Sequence, residues 1–139
     1  MILLGQTQEK FITQYSVMKK KIADSRLPER ILEEHKSTFG KMPDELAADK
    51  GFCGDKDAMA KLRKKVKVVA IPQRLKDFTD AFFVMLQHFR AGIEGSISVL
   101  KRAFGLLRCQ YRGFKSFASH VGLGVFSYNL VVLAKPPDK

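Results

Sequence analysis

Residues 66–72 read VKVVAIP, and this stretch decides the fold class. Five of its first six residues are apolar and most are β-branched, whereas Pro72 cannot continue a strand, so the run predicts a short buried strand. Residues 55–65, directly before it, place Ala58, Met59 and Leu62 at helical spacing among lysines, which predicts a basic amphipathic helix. A helix that leads into a buried strand is typical of an α/β domain.

The amino-terminal side continues this alternation. Lys10–Met18 is rich in β-branched and aromatic residues and predicts a strand. Asp24 or Ser25 can cap a helix that ends near Gly40. The segment ELAAD at residues 45–49 then predicts a brief buried strand that opens into a loop, with its aspartate at the carboxyl end of the strand.

The carboxy-terminal side is predicted to be helical. From Asp77 onward no proline intervenes until Pro136, and apolar residues recur at helical spacing to about Leu107. Glycines within this run weaken the helix locally and allow a kink. We expect Gly113 to break it before a last helix over residues 116–134.

The composition of the chain limits the kinds of partner that it can bind. Its 139 residues are 45% hydrophobic, which suits one domain with a buried core. The formal net charge of +11 favours polyanions, either nucleic acid or an anionic membrane surface. The longest apolar stretch, residues 121–134, is shorter than a membrane span, and the amino terminus does not read as a signal peptide. We therefore expect a soluble, cytoplasmic protein without a membrane partner. Cys53 and Cys109 do not have zinc-finger spacing.

The stretch RAGIEGSISVLKR at residues 90–102 carries the strongest chemical pattern. On a helix, Arg90, Glu94 and Lys101 project from one face because they are four and seven residues apart. A carboxylate held between two cations suits a metal ligand that faces a phosphodiester. From the spacing alone, a solvated salt-bridge face is the favoured explanation of these residues.

Three segments together resemble insertion-sequence DDE transposases. The spacing within residues 90–102 is similar to the signature around that family's final carboxylate, although Gln87 stands where the family often has a tyrosine. PDELAADKGF at residues 43–52 is similar to the strand-end motif that bears the second carboxylate. Residues 101–113, followed by 125–130, resemble the closing region. The segments follow the order of the family and cover roughly residues 39–134.

The resemblance implies an incomplete RNase H-like α/β fold: a short sheet with flanking helices and a long helical carboxy-terminal region. It implies that residues 1–139 form a single truncated DDE catalytic domain, its carboxy-terminal half. In this family acidic residues bind two divalent ions, normally Mg²⁺, which prefers hard oxygen ligands, and the enzyme cuts and joins DNA strands by in-line displacement. By analogy, Asp49 and Glu94 are the expected catalytic residues and metal ligands.

The first catalytic aspartate of the family has no match in this chain. Asp24 is similar to a non-catalytic aspartate of the family, and Asp44 lies too close to Asp49. The resemblance therefore implies a transposase fragment that is inactive alone, and whether the chain is an enzyme stays open. Expected partners are DNA at transposon ends and either a second copy or a full-length transposase, in the bacterial cytoplasm at the nucleoid. The rival hypothesis is a non-enzymatic, basic DNA-binding protein or a transposase-interacting inhibitor.

Basic residues dominate the sequence after Glu94, where seven Lys and Arg face the single acid Asp138. Such a bias favours contact with DNA phosphates. The run KLRKKVK at residues 61–67 holds five further cations and fits either DNA contact or a solvated helix face. The expected DNA contacts are Arg90, Lys101, Arg102, Arg108, Arg112 and Lys115.

Overall fold

The chain forms two compact units, each with its own small sheet and core. Unit 1 comprises Met1–Lys20 and Gly92–Lys139, and unit 2 comprises Lys21–Ala91. The computed structural model describes residues 1–20, 22–23, 26–54, 56–72, 81–108 and 110–135.

The elements confirm a mixed α/β fold. In chain order they are β1 (Ile2–Gln6), β2 (Ile12–Val17), α1 (Leu27–Phe39), β3 (Glu45–Ala47), a 3-10 helix (Lys50–Phe52), α2 (Lys56–Lys65), β4 (Val68–Ala70), α3 (Ala81–Ala103) and α4 (Phe114–Ala134). Each sheet of the described chain has two strands: β1 pairs antiparallel with β2, and β3 pairs parallel with β4. An RNase H-like arrangement remains an expectation.

Unit 2 is organised around the parallel pair of β3 and β4, which α2 connects. Its core is formed by the predicted apolar positions of α2 together with residues of α1 and of the segments around β4, namely Leu32, Met59, Leu62, Val66 and Ile71. Strand β4 is shorter than the predicted run because the N–H of Val66 donates to the carbonyl of Leu62 and so extends the last turn of α2. The crossover brings the carboxyl ends of both strands to the same edge.

Unit 1 combines the β1–β2 hairpin with the long helix α4 and the second part of α3. Strand β1, which the sequence analysis did not predict, runs with Ile2 opposite Val17. Its core consists of Ile12, Leu100, Val121, Val125 and Tyr128. Asn129 of α4 accepts a hydrogen bond from the N–H of Ile12 at 2.9 Å and donates to the carbonyl of Ile12 at 2.8 Å. This amide therefore satisfies both backbone polar groups of Ile12, the first residue of β2.

The helix ends correct some of the predicted boundaries. Helix α1 ends at Gly40 as predicted, with that glycine in the left-handed conformation, whereas the predicted caps Asp24 and Ser25 lie outside the described residues. Helix α3 is uninterrupted from Ala81 to Ala103, and its predicted start at Asp77 also lies outside the described residues. The predicted continuation to Leu107 is wrong because Gly105 adopts a φ of 72° and turns the chain back over the helix end.

Helix α4 is longer than predicted. It begins at Phe114 after Gly113, whose φ is 88°, and its 21 residues are long and apolar enough to span a membrane by length and composition. The apolar-run argument against a span was therefore wrong on length. Val121, Val125 and Tyr128 of α4 are buried in the core of unit 1, whereas Leu123, Phe126, Leu130, Val131 and Leu133 are exposed.

Candidate metal and nucleic-acid site

Asp49 stands at the carboxyl edge of the parallel pair, as predicted. Strand β3 ends at Ala47, and the N–H of Ala48 donates to the carbonyl of Ala70 at 3.3 Å, which continues the pairing by one residue. Asp49 then caps the 3-10 helix, with its Oδ1 accepting a hydrogen bond from the N–H of Lys50 at 2.7 Å. The carboxylate is thus held by its own backbone while its side chain remains 64% exposed.

Arg90 of α3 lies beside this carboxylate. Its Nη1 is 3.8 Å from Oδ2 of Asp49, a distance that makes an ion pair rather than a hydrogen bond. The Arg90 side chain is only 24% exposed, so its guanidinium has little freedom to move away. The structure therefore joins two residues that the sequence analysis assigned to different roles, a metal ligand and a DNA contact.

Gln87 ties α3 to the same edge. Its Nε2 donates to the carbonyl of Ala70 at 2.5 Å and to the carbonyl of Ala48 at 3.4 Å. Ala70 ends β4 and Ala48 directly precedes Asp49, so this one amide holds both strand ends against α3. In the sequence, Gln87 is notable only as a departure from the family pattern. Its position three residues before Arg90, on the same helix face, was the available signal.

Glu94 is exposed on α3, one turn beyond Arg90. Because α3 is uninterrupted there, Gln87, Arg90 and Glu94 have the three- and four-residue spacing of a single helix face. Asp49 belongs to unit 2 and Glu94 to unit 1. The described part of the chain contains no group of three or more His, Cys, Asp or Glu side chains that could hold a metal ion. The pairing of Asp49 with Glu94 around an ion therefore remains a prediction.

Ser96 has a structural partner in unit 1. Its Oγ lies 2.7 Å from the hydroxyl of Tyr128, and both residues are buried. Ser96 also donates to the carbonyl of Gly92 at 3.4 Å. This pair gives α3 a polar attachment to α4 within unit 1, and the exposed Glu94 lies on a different side of α3 from the buried Ser96.

The other expected DNA contacts all lie in unit 1. Lys101 and Arg102 occupy the last turn of α3, Arg108 follows in the loop, and Arg112 and Lys115 flank the start of α4. All five are exposed. Among the described residues none of them forms an ion pair, because the ion pairs found there all belong to unit 2.

The basic run at residues 61–67, which begins on α2 and continues past its end, divides into paired and exposed cations. Lys65 Nζ lies 2.7 Å from Glu29 Oε1, and Lys67 Nζ lies 2.6 Å from Asp44 Oδ1. Hydrogen bonds and charge attraction in these pairs lower the pKa of both carboxyls and raise the pKa of both lysines. Part of the run therefore serves ion pairing within unit 2. Its remaining cations, Lys61, Arg63 and Lys64, are exposed.

Comparison with known proteins identifies one family. The sequence model described as transposase DDE domain matches residues 2–130. The match includes β1 and β2, which lie outside the three sequence segments that resemble the family. No curated protein and no solved structure matches the chain.

Proposed function

Because the chain belongs to the transposase DDE domain family, we propose that it is the carboxy-terminal part of a metal-dependent transposase that cuts and joins DNA strands. The observation that carries the proposal is the placement of Asp49 at the shared carboxyl edge of two parallel strands, 3.8 Å from Arg90 of α3. The parallel pair would then belong to an incomplete RNase H-like sheet in a single truncated domain.

The donor set of this edge fits a divalent cation. The Asp49 carboxylate is exposed, and the Lys50 N–H occupies only part of the accepting capacity of Oδ1. Carboxylate oxygens are hard donors of the type that Mg²⁺ prefers. Asp49 and Glu94 are the residues that we propose to hold the ion, and a bound ion would polarise a phosphoryl oxygen and stabilise the leaving oxygen.

The surrounding residues would orient the site and the substrate. Arg90 restrains the direction of the Asp49 carboxylate, and Gln87 fixes the strand edge from which it projects. Phosphates of the transposon end would be held by the exposed cations of unit 1, which are Lys101, Arg102, Arg108, Arg112 and Lys115. Arg90 itself would reach DNA only by sharing its guanidinium between Asp49 and a phosphate.

We propose that this chain alone does not complete strand transfer, because only two of its carboxylates match the three of the family. A third ligand supplied by a second copy, or by a full-length transposase, would complete the site. Such a protein works on the bacterial nucleoid in the cytoplasm. Metal affinity of the chain alone is expected to be weak, because each missing ligand leaves part of the ion's coordination to water.

The test measures DNA binding with and without Mg²⁺. We expect Mg²⁺ to tighten binding of the full chain to duplex DNA, because an ion held by carboxylates can bridge to a phosphate. Asp49→Asn and Glu94→Gln should each abolish this increment without affecting binding in EDTA. A matched control is Asp57→Asn, an exposed acid at the start of α2. The proposed metal site would be refuted if DNA binding did not change with Mg²⁺, or if both variants retained the increase in affinity that Mg²⁺ causes.

A second candidate function is favoured by the uneven distribution of charge. Unit 1 holds ten of the 25 Lys and Arg residues but only three of the 14 Asp and Glu residues. A surface of this kind suits a non-enzymatic DNA-binding protein, or an inhibitor that associates with an intact transposase. This candidate predicts DNA binding that is indifferent to Mg²⁺ and to both carboxylate substitutions.

A further inference from the structure

The fold joins two basic segments that are distant in the sequence. Lys19 follows the end of β2, and its Nζ lies 5.1 Å from the centre of the Phe114 ring at the first residue of α4. Lys20 follows Lys19 in the sequence, and Arg112 and Lys115 lie on either side of Phe114. We call these four cations, Lys19, Lys20, Arg112 and Lys115, the basic corner of unit 1.

The charges of the basic corner face solvent. All four residues are exposed, and within the described part of the chain none of them takes part in an ion pair. The acids of unit 1 that the structure describes do not belong to it: Glu9 lies in the turn before β2, at the opposite end of that strand from Lys19, and Glu94 lies on α3. The corner therefore presents positive charge without internal compensation.

The backbone beneath the corner is anchored. Met18 is buried, and its N–H donates to the carbonyl of Met1 at 2.8 Å, which fixes the end of β2. On the other side, the N–H of Phe117 donates to the carbonyl of Gly113 and closes the first turn of α4. A strand end and a helix start thus present the cations, so binding would require ordering of side chains but not of the main chain.

We propose that the basic corner binds the phosphodiester backbone of duplex DNA, as a contact separate from the carboxylates. The inference rests on the proposed function for the identity of the polyanion. Backbone contact is favoured over base stacking because Lys19 covers one face of the Phe114 ring, and Tyr111 packs against His120 with ring centres 5.0 Å apart. The family match favours DNA, and a lipid surface, which the exposed Leu123, Phe126 and Leu133 farther along α4 would suit, is the alternative outcome of the test.

The test is the salt dependence of DNA binding by the full chain in EDTA. The logarithm of the binding constant for a labelled duplex is measured against the logarithm of the NaCl concentration. Each phosphate neutralised contributes about −0.9 to the slope, so Lys19→Ala/Lys20→Ala should reduce its magnitude by roughly 1.8. Arg112→Ala/Lys115→Ala should reduce it similarly, and Lys19→Arg/Lys20→Arg should keep it. Circular dichroism verifies that each variant is folded.

Matched controls determine what the result means. Lys36→Ala/Lys41→Ala removes the same charge from exposed positions of unit 2 and should leave the slope unchanged. Equal losses in this control and in both corner variants would overturn the proposal, because binding would then follow net charge alone. So would corner variants that lose binding to phosphatidylserine vesicles while retaining DNA binding. Because EDTA removes divalent ions, this experiment tests the basic corner independently of the metal site. Either of the two proposals can therefore be refuted without the other.

Discussion

The two units of the molecule use positive charge in different ways. In unit 2 fifteen Lys and Arg accompany eleven Asp and Glu, and ion pairs tie strands and helices together. In unit 1 ten Lys and Arg accompany three Asp and Glu, and the described cations do not form ion pairs. The net charge of +11 is therefore concentrated where it remains available to a polyanion, whereas the charges of unit 2 hold its carboxylates in place.

The units also attach α3 differently. In unit 2, Gln87 joins the helix to the strand edge beside Asp49. In unit 1, the buried hydroxyls of Ser96 and Tyr128 join it to α4. The first attachment borders the proposed chemistry and the second lies in a core, so we expect substitutions at the two places to separate function from stability.

The largest effect is expected from the core of unit 2. Leu32 is 1% exposed, and Leu32→Ala should lower the free energy of unfolding by about 2–5 kcal/mol, because it removes buried methyl groups and leaves a cavity. All three tyrosines, Tyr15, Tyr111 and Tyr128, belong to unit 1. Denaturant unfolding followed by circular dichroism should therefore shift more than unfolding followed by tyrosine fluorescence. Equal shifts in the two signals would show that the units unfold together.

The next effect concerns the strand edge. Gln87→Ala removes both hydrogen bonds to the edge, so Mn²⁺ affinity should fall by roughly tenfold, as it does when groups that orient metal ligands are removed. Calorimetric titration measures the Mn²⁺ affinity. His88→Ala changes the adjacent, exposed position on the same helix and should bind as the parent does. Unchanged affinity in Gln87→Ala would mean that the amide does not position Asp49.

A smaller effect is expected from the corresponding attachment in unit 1. Tyr128→Phe removes one buried hydroxyl, and its loss should cost about 1 kcal/mol because Ser96 keeps a bond to Gly92. Thermal or urea unfolding measures the loss, and Ser96→Ala combined with Tyr128→Phe should cost less than the sum of the single changes. Mn²⁺ affinity should stay unchanged. A loss of metal affinity here would contradict the separation between the two attachments.

The smallest effect is a pH dependence of unit 2. Burial, with a further contribution from Lys41, lowers the pKa of His35 from its ordinary value of 6.5. The folded state then binds fewer protons than the unfolded state, so the contribution of His35 to stability is present above the ordinary pKa and is lost as the pH falls through the folded pKa. His35→Gln should flatten the stability profile as the pH falls below about 6.5. An unaltered profile would contradict this assignment.

Much of the fold follows from local apolar spacing. The spacing predicted β2, α1 and α2 because their buried positions repeat at strand or helix periods. It also placed β3, but that strand is exposed or half-buried rather than buried as predicted. It missed β1 because its ILLGQ sequence has an unfavourable glycine and does not alternate apolar with polar residues. It extended α3 too far because the left-handed turn at Gly105 depends on backbone bonds from Leu106 and Leu107 back to the helix end.

The candidate site was predictable only in part. Motif spacing identified Asp49, Arg90 and Glu94, and the structure confirms the strand-end place of Asp49. The contact between Asp49 and Arg90 joins residues that are distant in the sequence, so spacing alone could not reveal it. The bonds of Gln87 and the pairs of Lys65 and Lys67 were missed for the same reason, since their partners come from other elements.

The central claim, that Asp49 and Glu94 hold one divalent ion together, is tested most directly by electron paramagnetic resonance titration of Mn²⁺ with the full chain. Binding is compared among the parent, Asp49→Asn, Glu94→Gln and the double variant. We expect each single change to weaken binding at least about tenfold and the double change to add little, because one site has already been lost. Undiminished Mn²⁺ binding by either single variant, or fully additive losses, would contradict a shared site.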